Sequence, residues 1–160
     1  MNLEDYNRAV DDYSDRIFRF ILKSLGDEER AKDIVQDSYE KLWRNIDDLE
    51  FSKAKSWLFS TAYNTMIDII RKEKRMISSD DSITEEYTCE GYSDLNEVLH
   101  LCLEKLPDNY KAPLLLRDYE GYSYNEISTI TGQSESQVKI NIYRGRMAMR
   151  KMIGNIALVV

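Results

Sequence analysis

Apolar residues recur along this chain at three- and four-residue steps. The first such run is Leu3, Tyr6, Val10, Tyr13, Ile17, Phe20 and Ile21. That is the period of a helix with one buried stripe. Gly26 ends it, because a helix C-terminus favours left-handed backbone, and Asp27 suits the cap of the next helix. Ala31, Ile34, Val35, Ser38, Leu42 and Trp43 mark the inner stripe of that second helix. A third opens at Ser52 or Ser56 and turns Trp57, Leu58, Thr61, Ala62, Thr65, Met66 and Ile69 inward. Its last turns run into a basic cluster, Arg71, Lys72, Lys74 and Arg75, broken only by Glu73.

The period then lapses. Residues 76–94 are rich in Ser, Thr and acid and read as a linker, while helical spacing resumes from Leu95 to Leu106. Pro107 stops that helix, and Asp108 or Asn109 can cap the next, which carries Ala112, Leu115 and Leu116 before Gly121. Two capping boxes follow, Ser123 with Glu126 and Ser134 with Gln137, on either side of Gly132. No stretch alternates convincingly as a strand. The pattern predicts an all-α protein: two small helical domains, 1–75 and 95–154, joined by an acidic linker, with a helix-turn-helix in the C-terminal one. Neither domain is large enough for an extensive core of its own.

Composition changes this picture in few places. The 160 residues include only 6 Gly and 2 Pro, so Gly-rich nucleotide-binding and turn-rich β folds start weak. Cys89 and Cys102 have neither the number nor the spacing of a zinc site or disulfide framework and read as free thiols in a reducing compartment. No apolar run approaches the ~20 residues that span a bilayer. The acidic start does not resemble a secretory signal, so a cytoplasmic location without membrane insertion is expected.

The formal net charge of -7 speaks against nucleic acid as a partner, but the distribution reverses that reading. Residues 1–50 carry 14 acids and 8 bases, and residues 76–94 carry six acids and no base. Against this background stand the Arg71–Arg75 cluster and a second, acid-free stretch holding Lys139, Arg144, Arg146, Arg150 and Lys151.

The second patch lies on a recognisable arrangement. A helix-turn-helix needs a small residue in its first helix, a residue tolerant of positive φ in the turn and a branched apolar residue in its second helix. Ser128, Gly132 and Val138 follow at intervals of four and six, with Ile127, Ile130 and Ile142 completing the contact. The second helix would expose Ser136, Gln137, Lys139, Tyr143, Arg144 and Arg146 to base edges and phosphates. The plainer alternative is a helical hairpin with a solvated basic end. In the first half, Trp57, Phe59, Tyr63 and Asn64 precede the basic cluster, a set that suits single-stranded nucleic acid. There the alternative is Trp57 as core and a basic helix end favoured by its dipole.

Four blocks in order resemble one family. Residues 31–43, AKDIVQDSYEKLW, resemble the core-binding helix of bacterial RNA polymerase sigma factors of the extracytoplasmic-function subfamily. Residues 55–75 resemble its −10-reading helix, residues 102–132 the opening of its −35-binding domain, and residues 137–146 its recognition helix. The chain departs from the family pattern at Ile140 and Asn141, where Ser and Arg are usual, at Ser128 in place of Ala, and at Gln133 in an often apolar position.

The resemblance implies a transcription initiation factor, not an enzyme, without a cofactor, whose partners are core RNA polymerase and promoter DNA. Asp33, Gln36, Asp37 and Glu40 would face the polymerase clamp. Asn64, Asp68, Arg71, Lys72, Lys74 and Arg75 would hold the melted −10 strand, with Asn64 reading a flipped base. Ser136, Gln137, Lys139, Tyr143, Arg144 and Arg146 would engage the −35 duplex. An anti-sigma factor is a candidate regulator. The linker would let the domains close on each other, and its acids would mimic nucleic acid in the enzyme's cleft. The lone His100 implies no catalytic role. Two rivals remain at this stage: a stand-alone dimeric helix-turn-helix regulator, and a protein–protein adaptor with no nucleic-acid role.

Overall fold

The computed structural model describes residues 1–77 and 95–159. The linker reading therefore falls, apart from its first two residues, outside the described residues, as does Cys89; Cys102 is buried in the second half. Every described element is helical.

Three helices build the first half: α1 (Leu3–Leu25), α2 (Glu28–Arg44) and α3 (Phe51–Ile77). Asn2 opens α1 with a reciprocal capping box: its side chain accepts from the Asp5 amide at 2.8 Å while Asp5 accepts from the Asn2 amide at 3.3 Å. Gly26, at φ 72°, ends α1 in the left-handed region, and Asp27 caps α2 through the Arg30 amide. Each helix packs on the other two. Ile17, Phe20 and Ile21 of α1 meet Ile34 and Leu42 of α2 and Leu58, Phe59 and Met66 of α3 in one buried cluster. The hydroxyl of Tyr39 ties α2 to α1 by donating to the Ala9 carbonyl at 2.8 Å.

Two expectations fail here. Trp43 is not on the inner stripe: it is 49% exposed, resting edge-on against Tyr6 at 5.2 Å, because the helical repeat sets it about a quarter turn round from fully buried Leu42. And α3 begins at Phe51, ahead of either serine proposed as its start.

The second half comprises α4 (Leu95–Lys105), α5 (Asp108–Leu114), a π-helical turn (Leu115–Tyr119), α6 (Tyr124–Thr131) and α7 (Glu135–Val159). Pro107 itself occupies the cap of α5, with no side-chain cap bond, so neither Asp108 nor Asn109 caps it. The π turn was not legible in the pattern. It follows Pro113, which has no N–H to give the ladder, and is closed by the Glu120 amide reaching back five residues to Leu115 at 3.2 Å.

The buried cluster runs through both halves. Phe59 of α3 packs against Phe20 at 5.9 Å and against Tyr122, just before α6, at 5.1 Å. Polar contacts frame this seam. Glu120, whose side chain is 4% exposed, pairs with Arg16 at 3.4 Å and Arg19 at 3.8 Å, and buried Lys111 donates to the Ser24 carbonyl at 3.3 Å. Desolvation pushes the Lys111 pKa down.

Candidate nucleic-acid interface

The helix-turn-helix forms as the spacing predicts. Gly132 takes φ 75°, and Val138, Ile127, Ile130 and Ile142 are buried between α6 and α7. Ser128 does more than leave space: its hydroxyl donates to the Gln133 carbonyl at 2.6 Å and pins the turn. With those residues inward, the helical period turns Ser136, Gln137, Lys139, Tyr143, Arg144 and Arg146 outward, and all six are exposed. Tyr143 is 65% exposed. Two cations of this set have protein partners already. Lys139 lies 5.4 Å from the Tyr124 ring, and Arg146 forks onto Asp118 at 2.5 and 3.1 Å. The bonds to Asp118 push the Arg146 pKa further up, so it stays charged.

The two capping-box sequences behave differently. At α6 both halves form: the Glu126 amide donates to Ser123 at 3.1 Å and the Ser123 amide to Glu126 at 3.3 Å. At α7 the Gln137 amide donates to Ser134 at 3.1 Å, but the Gln137 side chain turns forward to Asn141 instead of back to the cap. Asn141 is 1% exposed and donates onward to Gln133 Oε1 at 3.0 Å. In the sequence Gln133 and Asn141 stand out only as departures from a family pattern; this amide chain, buried at Asn141, is what they form.

On α3, Asn64, Asp68, Arg71, Lys72 and Arg75 are exposed and share one face of the helix. Lys74 sits about a quarter turn away by the helical repeat. It reaches the second half, where its ammonium lies 3.4 Å from Asp108. The groove beside it is lined by Tyr63, Ile67, Ile70 and Arg71 of α3 and by Pro107 and Asn109 opposite. Of the aromatics considered for base stacking, Phe59 and Tyr63 are core and Trp57 is half-buried against that core. The core alternative put for Trp57 therefore holds in part for that residue and in full for Phe59 and Tyr63.

Asp33, Gln36, Asp37 and Glu40 follow one outer face of α2. Asp37 pairs with Lys41 at 2.9 Å and Glu40 with Arg44 at 2.6 Å, both along the helix and both solvated. Such pairs contribute only ~0.3–0.5 kcal/mol, so they leave these carboxylates open to a stronger partner. Among the described residues, no group of three His, Cys, Asp or Glu is placed to hold a metal, and no helix is long and apolar enough to cross a membrane.

Residues 9–76 match the family described as sigma-70 region 2, and residues 96–149 match sigma-70, region 4. The ECF RNA polymerase sigma factor SigM of Bacillus subtilis (strain 168) is 32% identical over 146 residues, covering 88% of this chain and 90% of the relative. The RNA polymerase sigma factor SigV of the same organism is 31% identical over 145 residues, covering 89% and 87%. Among solved structures, the sigma factor RpoE in its co-crystal with the anti-sigma factor NepR from Bartonella quintana has the same fold. Its TM-score is 0.78 at 22% identity, covering 95% of this chain and 98% of that one.

Proposed function

The chain belongs to the sigma-70 family, in its extracytoplasmic-function branch, and from that membership we propose that α7 reads the −35 duplex while α3 holds the melted −10 strand. As a sigma factor it is a promoter-directing transcription initiation factor and not an enzyme. The observation that carries the finer reading is α7 itself: after Glu135 it has no acid, its locking residues are buried, and Ser136, Gln137, Lys139, Tyr143, Arg144 and Arg146 all face outward. A helix so mounted suits a major groove, with Gln137, Lys139, Tyr143 and Arg144 toward base edges. Arg146 would leave Asp118 for a phosphate or remain as its anchor.

On α3, Asn64 offers both a donor and an acceptor to the edge of an unstacked base, and Arg71, Lys72, Lys74 and Arg75 supply backbone charge. Asp33, Gln36, Asp37 and Glu40 would meet a basic surface of core RNA polymerase, where complementary charge speeds encounter and fixes register. An acidic chain binds DNA weakly by itself. Tethered on polymerase, its two basic patches act at high effective concentration. Among solved structures of the same fold, RpoE is bound to the anti-sigma factor NepR and CnrH to the cytosolic domain of CnrY, and an anti-sigma partner would suit this chain. The work of such a factor lies in the cytoplasm, beside the chromosome.

The test is to add the purified chain to core polymerase and map the promoters that begin to fire. Initiation at asymmetric two-element promoters is the expected result; dimeric binding to a symmetric site without polymerase would refute it. Asp33→Arg with Gln36→Ala should weaken co-purification with polymerase while leaving the melting temperature unchanged. Arg144→Ala should weaken −35 use by ~1–3 kcal/mol if it touches a base, and uniformly across promoters if it meets only phosphate.

A further inference from the structure

We propose that Asn141 is a positioning residue that fixes the polarity of the Gln137 amide, and so makes Gln137 a reader of adenine in duplex DNA. This rests on α7 being the −35 recognition helix. A buried side-chain amide is costly unless its groups are satisfied. Asn141, at 1% exposure between exposed Ile140 and buried Ile142, is satisfied at both ends. Its Oδ1 accepts from Gln137 Nε2 at 3.2 Å, and its Nδ2 donates to Gln133 Oε1 at 3.0 Å. The Gln133 backbone is itself anchored, since Ser128 donates to its carbonyl and its backbone N–H donates to Thr131 Oγ1 at 3.4 Å. The chain of amides is therefore rooted in the helix-turn-helix turn and ends at the exposed Gln137.

Direction matters in such a chain. Because Gln137 spends one N–H on Asn141, it keeps one N–H and the Oε1 acceptor for a ligand. That donor–acceptor pair matches the N7 acceptor and N6 amine of adenine in the major groove. Guanine presents two acceptors there, N7 and O6, and this orientation offers only one donor to them. The capping box left half-made at α7 fits the same account: a Gln137 returned to the Ser134 amide would not be aimed outward.

The experiment uses the full chain with core polymerase and a promoter pool randomised across the −35 element. Wild type should enrich adenine over guanine by about 5- to 150-fold at one position, the range expected of a good bidentate contact. Gln137→Ala should remove the preference at that position alone. Asn141→Leu, an apolar side chain suited to a buried site, should keep the melting temperature and lower the adenine preference to about 2-fold or less. Asn141→Asp keeps the acceptor for Gln137 and lets Gln133 turn to donate, so it should retain adenine even with reduced stability. A purely structural role predicts the opposite order, with Leu harmless and Asp disruptive. Adenine preference surviving Asn141→Leu, guanine preferred by wild type, or no single position responding to Gln137→Ala would each overturn the proposal. In all three cases selection at the other −35 positions would persist. Loss of all −35 selection by the wild-type chain would instead refute the reading of α7 as the recognition helix.

Discussion

The two surfaces proposed to meet DNA are held in opposite ways. α7 packs chiefly on α4, α5 and α6 of its own half, and its outward side chains are organised by neighbours within that half: Tyr124 beside Lys139, Asp118 beside Arg146, Asn141 behind Gln137. α3 is shared. Its inner face carries Phe59 into contact with Tyr122, its edge carries Lys74 to Asp108, and it packs on α6 as well as on α1 and α2. A surface that reads base edges needs side chains fixed in direction, and α7 has them locally. A surface that receives an opened strand needs room, and on α3 that room depends on how the second half sits. Changes at the seam should therefore alter α3 and spare α7.

The largest effect should come from Phe59→Ala. The ring is fully buried between Phe20 and Tyr122, so its loss should cost ~3–5 kcal/mol in urea unfolding. Tyr143→Ala, at 65% exposure on α7, should change stability by no more than ~0.5 kcal/mol while still weakening −35 binding. Equal stability losses for the two would break the contrast between a shared helix and a local one.

How far this contrast could be read from sequence follows from what each feature depends on. Helix order, Gly26, the Ser123–Glu126 box and the Ser128, Gly132, Val138 spacing are local signals, and each appears in the structure as expected. Trp43 misled because its apolar character outweighs its angle in the pattern: it lies about a quarter turn round from Leu42, at the edge of the stripe, where a ring is only half covered. Asp108 missed the cap because the helix already begins at it, with Pro107 in the cap position, and its carboxylate pairs with Lys74, thirty-four residues away. The seam was not legible at all: Glu120 and Lys111 look like ordinary surface charges until tertiary contacts bury them, and Arg16 shows its role only by pairing with Glu120. Of the candidate site residues, exposure and shared faces followed from helical period, whereas the Gln133–Asn141–Gln137 chain required rotamers that no spacing rule supplies.

A smaller effect separates two buried phenols. Tyr39 donates to the Ala9 carbonyl within the first half, so Tyr39→Phe should cost ~1 kcal/mol. The Tyr122 hydroxyl lies in the seam with no hydrogen-bond partner among the described residues, so Tyr122→Phe should be neutral or slightly stabilising. Burial pushes both pKa values up. The folded chain then keeps these protons to higher pH than the unfolded chain does. The stability they support is complete below pH ~10 and is lost as pH climbs through the raised folded values. Either substitution should flatten that alkaline loss in a series of urea titrations, and only Tyr122→Phe should do so without a cost at neutral pH.

The smallest effect bears most directly on the two surfaces. Lys74–Asp108 crosses the seam at 3.4 Å with the lysine 72% exposed, whereas Arg146–Asp118 forks within the second half. Both are solvated pairs, so a double-mutant cycle on either should return at most ~1 kcal/mol, fading as salt rises. Their consequences should nevertheless diverge. Asp108→Asn frees Lys74, and should raise affinity for an opened −10 strand by a small factor while leaving −35 duplex binding as it was. Asp118→Asn frees Arg146, and should raise −35 duplex binding while leaving the opened strand as it was. Both affinities are to be measured on the polymerase-bound chain at low and high salt, so that unspecific attraction to DNA cancels between the two variants. If Asp108→Asn moved both affinities together, the seam would be coupled to α7 after all, and the local character assigned to the recognition helix would have to be given up.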